Sequence, residues 1–274
     1  PCKTIGGAAT KINAANGGKS DGAIIYLQEG TYSLASTSIS TLGQWVKITK
    51  DKDANRDNVI LQRGSGAISG GYIHFDSVTL KSTGASAYVS SPTRLWTHNC
   101  RKIGSGRWIA GSNPIVFSDS DNHYSTNDYT YNVDFAYNKA ALVRGAIIET
   151  IGNDVFQNTS MIVNCTANDM SNGTTGLHAD GYQSHTSGVP SPSNRIIYNY
   201  KLTDASYQGV FLRADAGLAT DNAFVNVLIE MREPPDLNES GAYTFTGFSL
   251  YQAWDHLLLW NCSFIGGHEE FSQS

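Results

Sequence analysis

Gly22-Ala23-Ile24-Ile25-Tyr26-Leu27-Gln28-Glu29-Gly30-Thr31-Tyr32-Ser33-Leu34 reads as a strand, a tight turn and a second strand. Just upstream, Ala8 to Asn16 is a short helix candidate. Ala, Ile and Ala recur there at helical spacing, and Gly17-Gly18 stops the run.

Downstream the chain repeats. Short apolar runs recur, and each crosses one polar residue at Asp76, Asn99, Asn132, Asn164, Asn199, Asn226 or Asn261. The successive intervals are 23, 33, 32, 35, 27 and 35 residues, each the size of one coil of a β-solenoid with loops of varying length. Asn tolerates the left-handed backbone of a sharp bend between strands. Stacked Asn side chains can also bond from coil to coil, about 4.8 Å apart. A β-sandwich has many short strands too, but does not call for Asn at one phase of each.

With the helix and the Gly30-Thr31-Tyr32 turn, the opening resembles that of right-handed parallel β-helix proteins of the pectate-lyase-like superfamily. Glu29 stands where Pro is commoner in that family. The resemblance implies an all-β, single-stranded right-handed parallel β-helix over residues 1–274, with 1–20 as an N-terminal cap region. It also implies a long groove that acts on polysaccharides, as a lyase, a hydrolase or a uronate epimerase.

Composition narrows the partners. The net charge of −5 argues against nucleic acid. No apolar run nears the roughly 18 residues a membrane span needs. Low Lys, abundant Ser, Thr, Asn and Gly, and sequons at Asn158, Asn164, Asn172, Asn238 and Asn261 suit a secreted or cell-surface protein. Cys100, Cys165 and Cys262 each follow a repeat Asn, two or more coils apart, so buried free thiols are expected; Cys2 has no evident partner. No cap is evident after the last Asn strand, so end-to-end self-association is a further expectation.

A second strand is expected in each coil: Ala141–Glu149, Asp154–Gln157, Asp180–Gln183, Gln208–Arg213 and Gly247–Gln252. Asp-x-x-Gln recurs 26 residues apart, which stacks Asp154 on Asp180. Between strands, Ser112–Asp128, Asn168–Gly176, His185–Ser193, Ala214–Asp221 and Arg232–Ser240 read as loops.

The densest chemistry lies at His178-Ala179-Asp180-Gly181-Tyr182-Gln183-Ser184-His185. For β-elimination on a uronic-acid polymer, His178 or His185 is the base, Tyr182 the acid, and Arg213 or Gln183 the partner of the substrate carboxylate. For glycoside hydrolysis, Asp154 and Asp180, with Asp215 nearby, supply acid and base, like-charge crowding raising one pKa. Elimination is the favoured expectation. Gln157, Tyr182, Gln183, Gln208, Asp215, Tyr251 and Trp254 complete the substrate-binding set. Two bland roles compete: Gln157 and Gln183 suit an amide ladder, and Asp154 and Asp180 suit turn caps. A third function class, a non-enzymatic adhesin or filament-forming solenoid, needs none of this chemistry. No metal site or cofactor is expected, save calcium at Asp119, Asp121 and Asp128.

Overall fold

The computed structural model describes residues 3–15, 22–34, 37–39, 44–63, 68–83, 89–90, 94–105, 109–110, 115–124, 136–151, 154–170, 179–184, 193–205, 208–213, 219–232, 246–251, 254–266 and 268–272. Among them the one α-helix is Ile5–Ala15. It starts three residues earlier than the spacing of Ala8 suggests, because the Thr4 hydroxyl caps it, accepting from the Gly7 N–H at 3.0 Å. No helix among the described residues is long and apolar enough to cross a membrane. Apart from a 3-10 turn at Arg56–Asn58, the other described elements are β-strands, and their ladders are parallel. It divides into two compact units, residues 1–124 and 125–274.

In the first unit, Ala23–Leu27, Val46–Lys50, Tyr72–Asp76, Arg94–His98 and Ile115–Asp119 pair in that order. Gly30–Leu34, Val59–Arg63, Thr79–Thr83, Arg101–Ser105 and Asn122–Tyr124 form a second ladder. Thr37–Ile39, Ile68–Gly70, Val89–Ser90 and Ile109–Ala110 form a third. Strands 115–119 and 122–124 fall where the sequence reading places a loop. Ser118 and Ser120 hide the alternation there.

Every second side chain points inward and stacks on its like. Val46, Ile73, Leu95 and Val116 are one buried column, and Ile25, Ile48 and Phe75 another. Polar residues break the apolar pattern in two columns: Thr97 and Ser118 continue the Phe75 column and Lys102 the Leu80 column. Both are compensated. The buried Lys102 ammonium lies 2.9 Å from the buried Asp121 carboxylate. Asp121 also accepts from the Cys100 N–H at 2.7 Å, from Ser118 Oγ at 2.5 Å and from the Thr97 hydroxyl. Asp121 is thereby corrected from calcium candidate to core ion pair. Asp128 lies outside the described residues, and among those described no group of His, Cys, Asp or Glu could hold a metal ion.

In the second unit, long strands bend in mid-course. Met161–Met170, Ile196–Ala205 and Ala219–Met231 pair in sequence. Leu142–Arg144 and Ile147–Ile151 flank them on one side, Trp254–Trp260 and Ser263–Ile265 on the other. Residues 141–149 therefore belong to this ladder, not to the Asp154 strand expected from sequence. A separate ladder runs Tyr137–Asn138, Phe156–Gln157, Asp180–Ser184, Gln208–Arg213, Thr246–Tyr251 and His268–Ser272.

The bends carry the predicted left-handed residues. Asn164, Asn199, Asn226 and Asn261 have φ of 54, 55, 53 and 52°. Asn199 Nδ2 donates to Asn164 Oδ1 at 2.9 Å, and Asn261 Nδ2 to Asn226 Oδ1 at 2.7 Å. In the first unit the column is Ser77, Asn99 and Ser120. Asp76 is not part of it, because Asp76 pairs with His98, one step earlier, while Ser77 Oγ accepts from Asn99 Nδ2 at 3.1 Å. Asn132 lies outside the described residues. The cysteine after a bend turns inward. Cys100 and Cys165 are buried free thiols, whereas Cys262, on the last strand pair of its ladder, is only half-buried.

Backbones approach closely along Gly181, Gly209 and Gly247, which share one register position. A Cβ on Gly209 would lie 2.4 Å from the Gly247 carbonyl oxygen and 2.5 Å from Ile229 Cγ2. Gly209→Ala is expected to destabilise the protein by about 1–3 kcal/mol, the range for overpacked cores. A urea midpoint equal to that of the parent would show that the column tolerates a methyl group.

Candidate functional site

The register places Asp154 over Asp180 and Gln157 over Gln183, as the spacing predicts. Gln208 continues the aspartate column. The side chains bond to one another rather than to solvent. Asp154 Oδ1 accepts from the Asp180 N–H at 2.9 Å. Gln183 Nε2 donates to Asp180 Oδ2 at 2.7 Å, and Gln157 Nε2 to Gln183 Oε1 at 2.6 Å. Asp154 and Asp180 are 1% and 0% exposed. Burial, then the neighbouring Asp180 charge, drives the Asp154 pKa well above the ordinary carboxylate range. Gln157 and Gln183 thus form the amide ladder that is their bland alternative, Asp154 and Asp180 join it rather than cap turns, and both carboxylates are buried.

The other expected site residues scatter. Tyr182 is a core residue, not a surface acid: it is fully buried, with its hydroxyl donating to the Thr159 carbonyl at 3.1 Å. Arg213 is at the exposed end of its strand, five residues and roughly 16 Å from Gln208. Tyr251 is beside Arg213 and packs on Phe211, ring centroids 5.4 Å apart. Trp254 is half-buried and donates from Nε1 to the Tyr251 carbonyl at 2.9 Å. His178, His185 and Asp215 lie outside the described residues.

A second cluster, absent from the sequence expectations, occupies the outer face of the first unit. Strand alternation turns Lys47, Tyr72, His74, Asp76, Arg94, Trp96 and His98 away from the core. Register aligns Lys47, His74 and Trp96 in one rank, and Thr49, Asp76 and His98 in the next. The His74 and Trp96 rings stack, 4.2 Å apart and 6° from parallel. Trp45 meets Tyr72 and Trp96 edge-on at 5.6 and 6.3 Å. The Arg94 guanidinium sits 5.0 Å above the Tyr72 ring. Trp96 remains 39% exposed.

Asp76 organises the charges. Its Oδ2 is 2.6 Å from Lys47 Nζ and its Oδ1 is 2.8 Å from His98 Nδ1. Ser77 and Thr49 add hydroxyl donors at 3.1 and 3.3 Å. Partial burial alone would raise this carboxyl. Hydrogen bonds from Lys47 and His98, and the lysine charge, outweigh it and hold the pKa down at about 2. An ionised carboxylate on Nδ1 favours the Nδ1–H tautomer of His98, which puts the lone pair on Nε2, and the side chain is 42% exposed. His74 behaves differently. Burial is the largest influence on it and outweighs the pull of Asp76, so its pKa falls to about 4 and the ring stays neutral on Trp96.

The sequence carries a signal for this face that the repeat pattern masks. Tyr72-x-His74-x-Asp76 and Arg94-x-Trp96-x-His98 are period-two polar and aromatic sets on adjacent strands. Each lies inside a run read for its buried partners, and they become one cluster only once Ile73 is set opposite Leu95.

Compared with protein-family models, curated proteins and solved structures, the chain matches none.

Two pH effects of opposite sign follow. His74 binds its proton less tightly when folded, so its contribution is complete above about 6.5 and falls as pH drops toward 4. His74→Phe is expected to flatten the loss of stability between those values in urea titrations. Asp154 binds its proton more tightly when folded. Its contribution is complete below the unfolded value of about 4 and declines as pH rises from there. Asp154→Asn is expected to remove that decline and to raise stability relative to the parent above neutrality. A parallel pH profile for either variant would contradict the corresponding assignment.

Proposed function

We propose that the protein is a right-handed parallel β-solenoid of the pectate-lyase-like kind that binds a uronic-acid polysaccharide on the outer face of residues 45–98 and cleaves it by β-elimination. Two observations and one general rule support the solenoid reading. Each strand pairs in parallel with its counterpart one repeat away, the bends stack in columns, and parallel crossovers are right-handed almost without exception. The sequons and composition suit the extracellular setting where such polymers lie.

One observation carries the activity: an ionised Asp76 holds Lys47 and His98 on either side, next to an exposed Trp96. Trp96 and Tyr72 offer flat apolar faces for sugar rings. Lys47 and Arg94 supply the positive charge that draws a uronate carboxylate and lowers the acidity barrier at the neighbouring carbon. His98 Nε2 removes the proton from that carbon. The freed electron pair forms the ring double bond, the glycosidic C–O bond breaks, and the departing oxygen takes a proton from water. The buried Asp154–Asp180 pair takes no part.

Incubation with polygalacturonate, alginate and a neutral glucan tests the reading. The acidic polymers are expected to yield the ultraviolet absorbance of an unsaturated uronate. His98→Ala is expected to lose at least about a hundredfold in rate, the usual scale of general-base catalysis. Trp96→Ala should raise KM more than it lowers kcat. Asp154→Asn should keep full activity. New reducing ends without the absorbance would mean hydrolysis and overturn the elimination; no product from any polymer would end the enzymatic reading.

A further inference from the structure

The outer face of the second unit presents a different chemistry. Met161, Ile196, Ala223 and Leu258 share one register rank, and Val163, Tyr198, Val225 and Trp260 the next. Both ranks face outward, one on each side of the buried column of Ile162, Ile197 and Phe224, and beyond the second rank lies the buried column of Cys165, Tyr200 and Val227. Met161, Ile196, Tyr198, Leu258 and Trp260 are 37, 42, 42, 49 and 66% exposed. None of these eight residues is charged, and the first strand of the ladder adds Arg144 opposite Val163. Arg195, next to Ile196, is turned aside, donating to the Asn158 carbonyl at 2.8 Å and to Ser160 Oγ at 2.7 Å.

Polar groups line both ends of the ranks. One end is the bend of Asn164, Asn199, Asn226 and Asn261, all exposed, each immediately following a residue of the second rank. At the other end His256 Nδ1 lies 3.1 Å from Asp221 Oδ1. A flat apolar floor with amides along one edge matches a ligand that is apolar on its faces and hydroxylated on its rim. Tyr198 and Trp260 stand two strands apart in one rank, roughly 9.6 Å, about the length of one disaccharide unit.

We infer that this face is a second glycan platform, one that takes a neutral, flat, β-linked polysaccharide of the glucan or xylan kind. The sugar faces rest on Tyr198 and Trp260, and ring hydroxyls bond to the asparagine amides. Charge favours a neutral ligand: Arg144 flanks the floor, but the eight floor residues carry no charge, whereas the face of residues 45–98 carries Lys47 and Arg94 within its ranks. Area decides against a second copy of the chain. Four strands span about 15 Å and two ranks under about 10 Å, well short of the roughly 800 Å2 each partner buries in a stable dimer. The inference does not depend on the elimination chemistry, since it concerns other residues in the other unit.

Calorimetric titration of the whole chain with cellohexaose and with xylohexaose tests it, with a polygalacturonate oligomer as the charged comparison. One neutral hexaose is expected to bind, and Tyr198→Ala and Trp260→Ala each to weaken it by about tenfold. Trp260→Phe should restore most of the affinity. Lys201→Ala, on the adjoining polar face, should leave the affinity unchanged, and Trp260→Ala should leave the release of unsaturated uronate unchanged. Absence of binding by both hexaoses overturns the inference, as does binding that survives both aromatic deletions. Sedimentation showing a dimer that Trp260→Ala dissociates would assign the face to self-association instead. Loss of elimination with intact hexaose binding would count against the first face alone.

Discussion

The left-handed bend is the constraint on which the other features rest. At Asn164, Asn199, Asn226 and Asn261 the backbone turns through a conformation that costs most side chains roughly 1–2 kcal/mol. Asn accepts it because its short amide bonds locally, and here the amide bonds to the next Asn in the column. A slip of one residue would move each Asn out of the bend and put Ile162, Ile197 and Phe224 on the solvent side. Bend and core therefore enforce one register together. The Cys that follows the bend closes it from inside: Cys165 Sγ lies 3.4 Å from the Val163 carbonyl, and burial raises the thiol pKa to about 11. That thiol is a packing group and a weak donor, not a nucleophile.

With register settled, buried polar residues need partners inside the same columns. Two solutions appear. Lys102 and Asp121 neutralise each other, and the remaining lone pairs of Asp121 accept from Thr97, Ser118 and the Cys100 N–H. Breaking such a pair by removing one partner leaves a buried charge, at about 3–5 kcal/mol. Asp154 meets no cation among the described residues. Glutamine amides and a backbone N–H serve the Asp154–Asp180 ladder instead, and the like charges push Asp154 toward its neutral form. A carboxyl that is neutral and dry has neither the charge nor the access that acid–base work on a polymer needs. Asp76 shows the contrast. Its partners are the Lys47 ammonium and the donors of His98, Ser77 and Thr49, and the cluster opens to solvent at Trp96 and His98, so its charge persists and can orient a base.

How much was legible in the sequence follows from which interactions are local. The bends were legible because Asn answers a local backbone demand, and the Asp154-over-Asp180 register because the same tetrapeptide recurs. The strands Ile115–Asp119 and Asn122–Tyr124 were not, because their buried polar residues Ser118 and Asp121 make sense only beside Lys102 and Thr97. Asp76 was misplaced by one position for a similar reason. Both Asp76 and Ser77 are polar, and only the hydrogen bond from Asn99 to Ser77 singles out the bend residue. The His178–His185 stretch drew attention through density of reactive side chains. Density in sequence says little about exposure, and Tyr182, the central residue of that stretch, turned out to face the core.

Outward positions obey a different rule from inward ones. Inward residues are restricted to shapes that stack at the strand spacing of about 4.8 Å, which is why Val, Ile, Leu and Phe recur there. An outward residue has no such restriction, so its composition reports what the face meets. In one unit that composition is Trp45, Tyr72, Trp96, Arg94, Lys47 and His98; in the other it is Met161, Ile196, Tyr198, Leu258 and Trp260. The same parallel backbone supports both. Ile196 and Tyr198 stand on a strand paired on both sides and are each 42% exposed, so an open edge does not account for them, whereas Trp260 and the inward-column Leu259 share the outermost described strand of that ladder. Core packing therefore does not select Ile196 and Tyr198, and the glycan proposal rests on their outward composition.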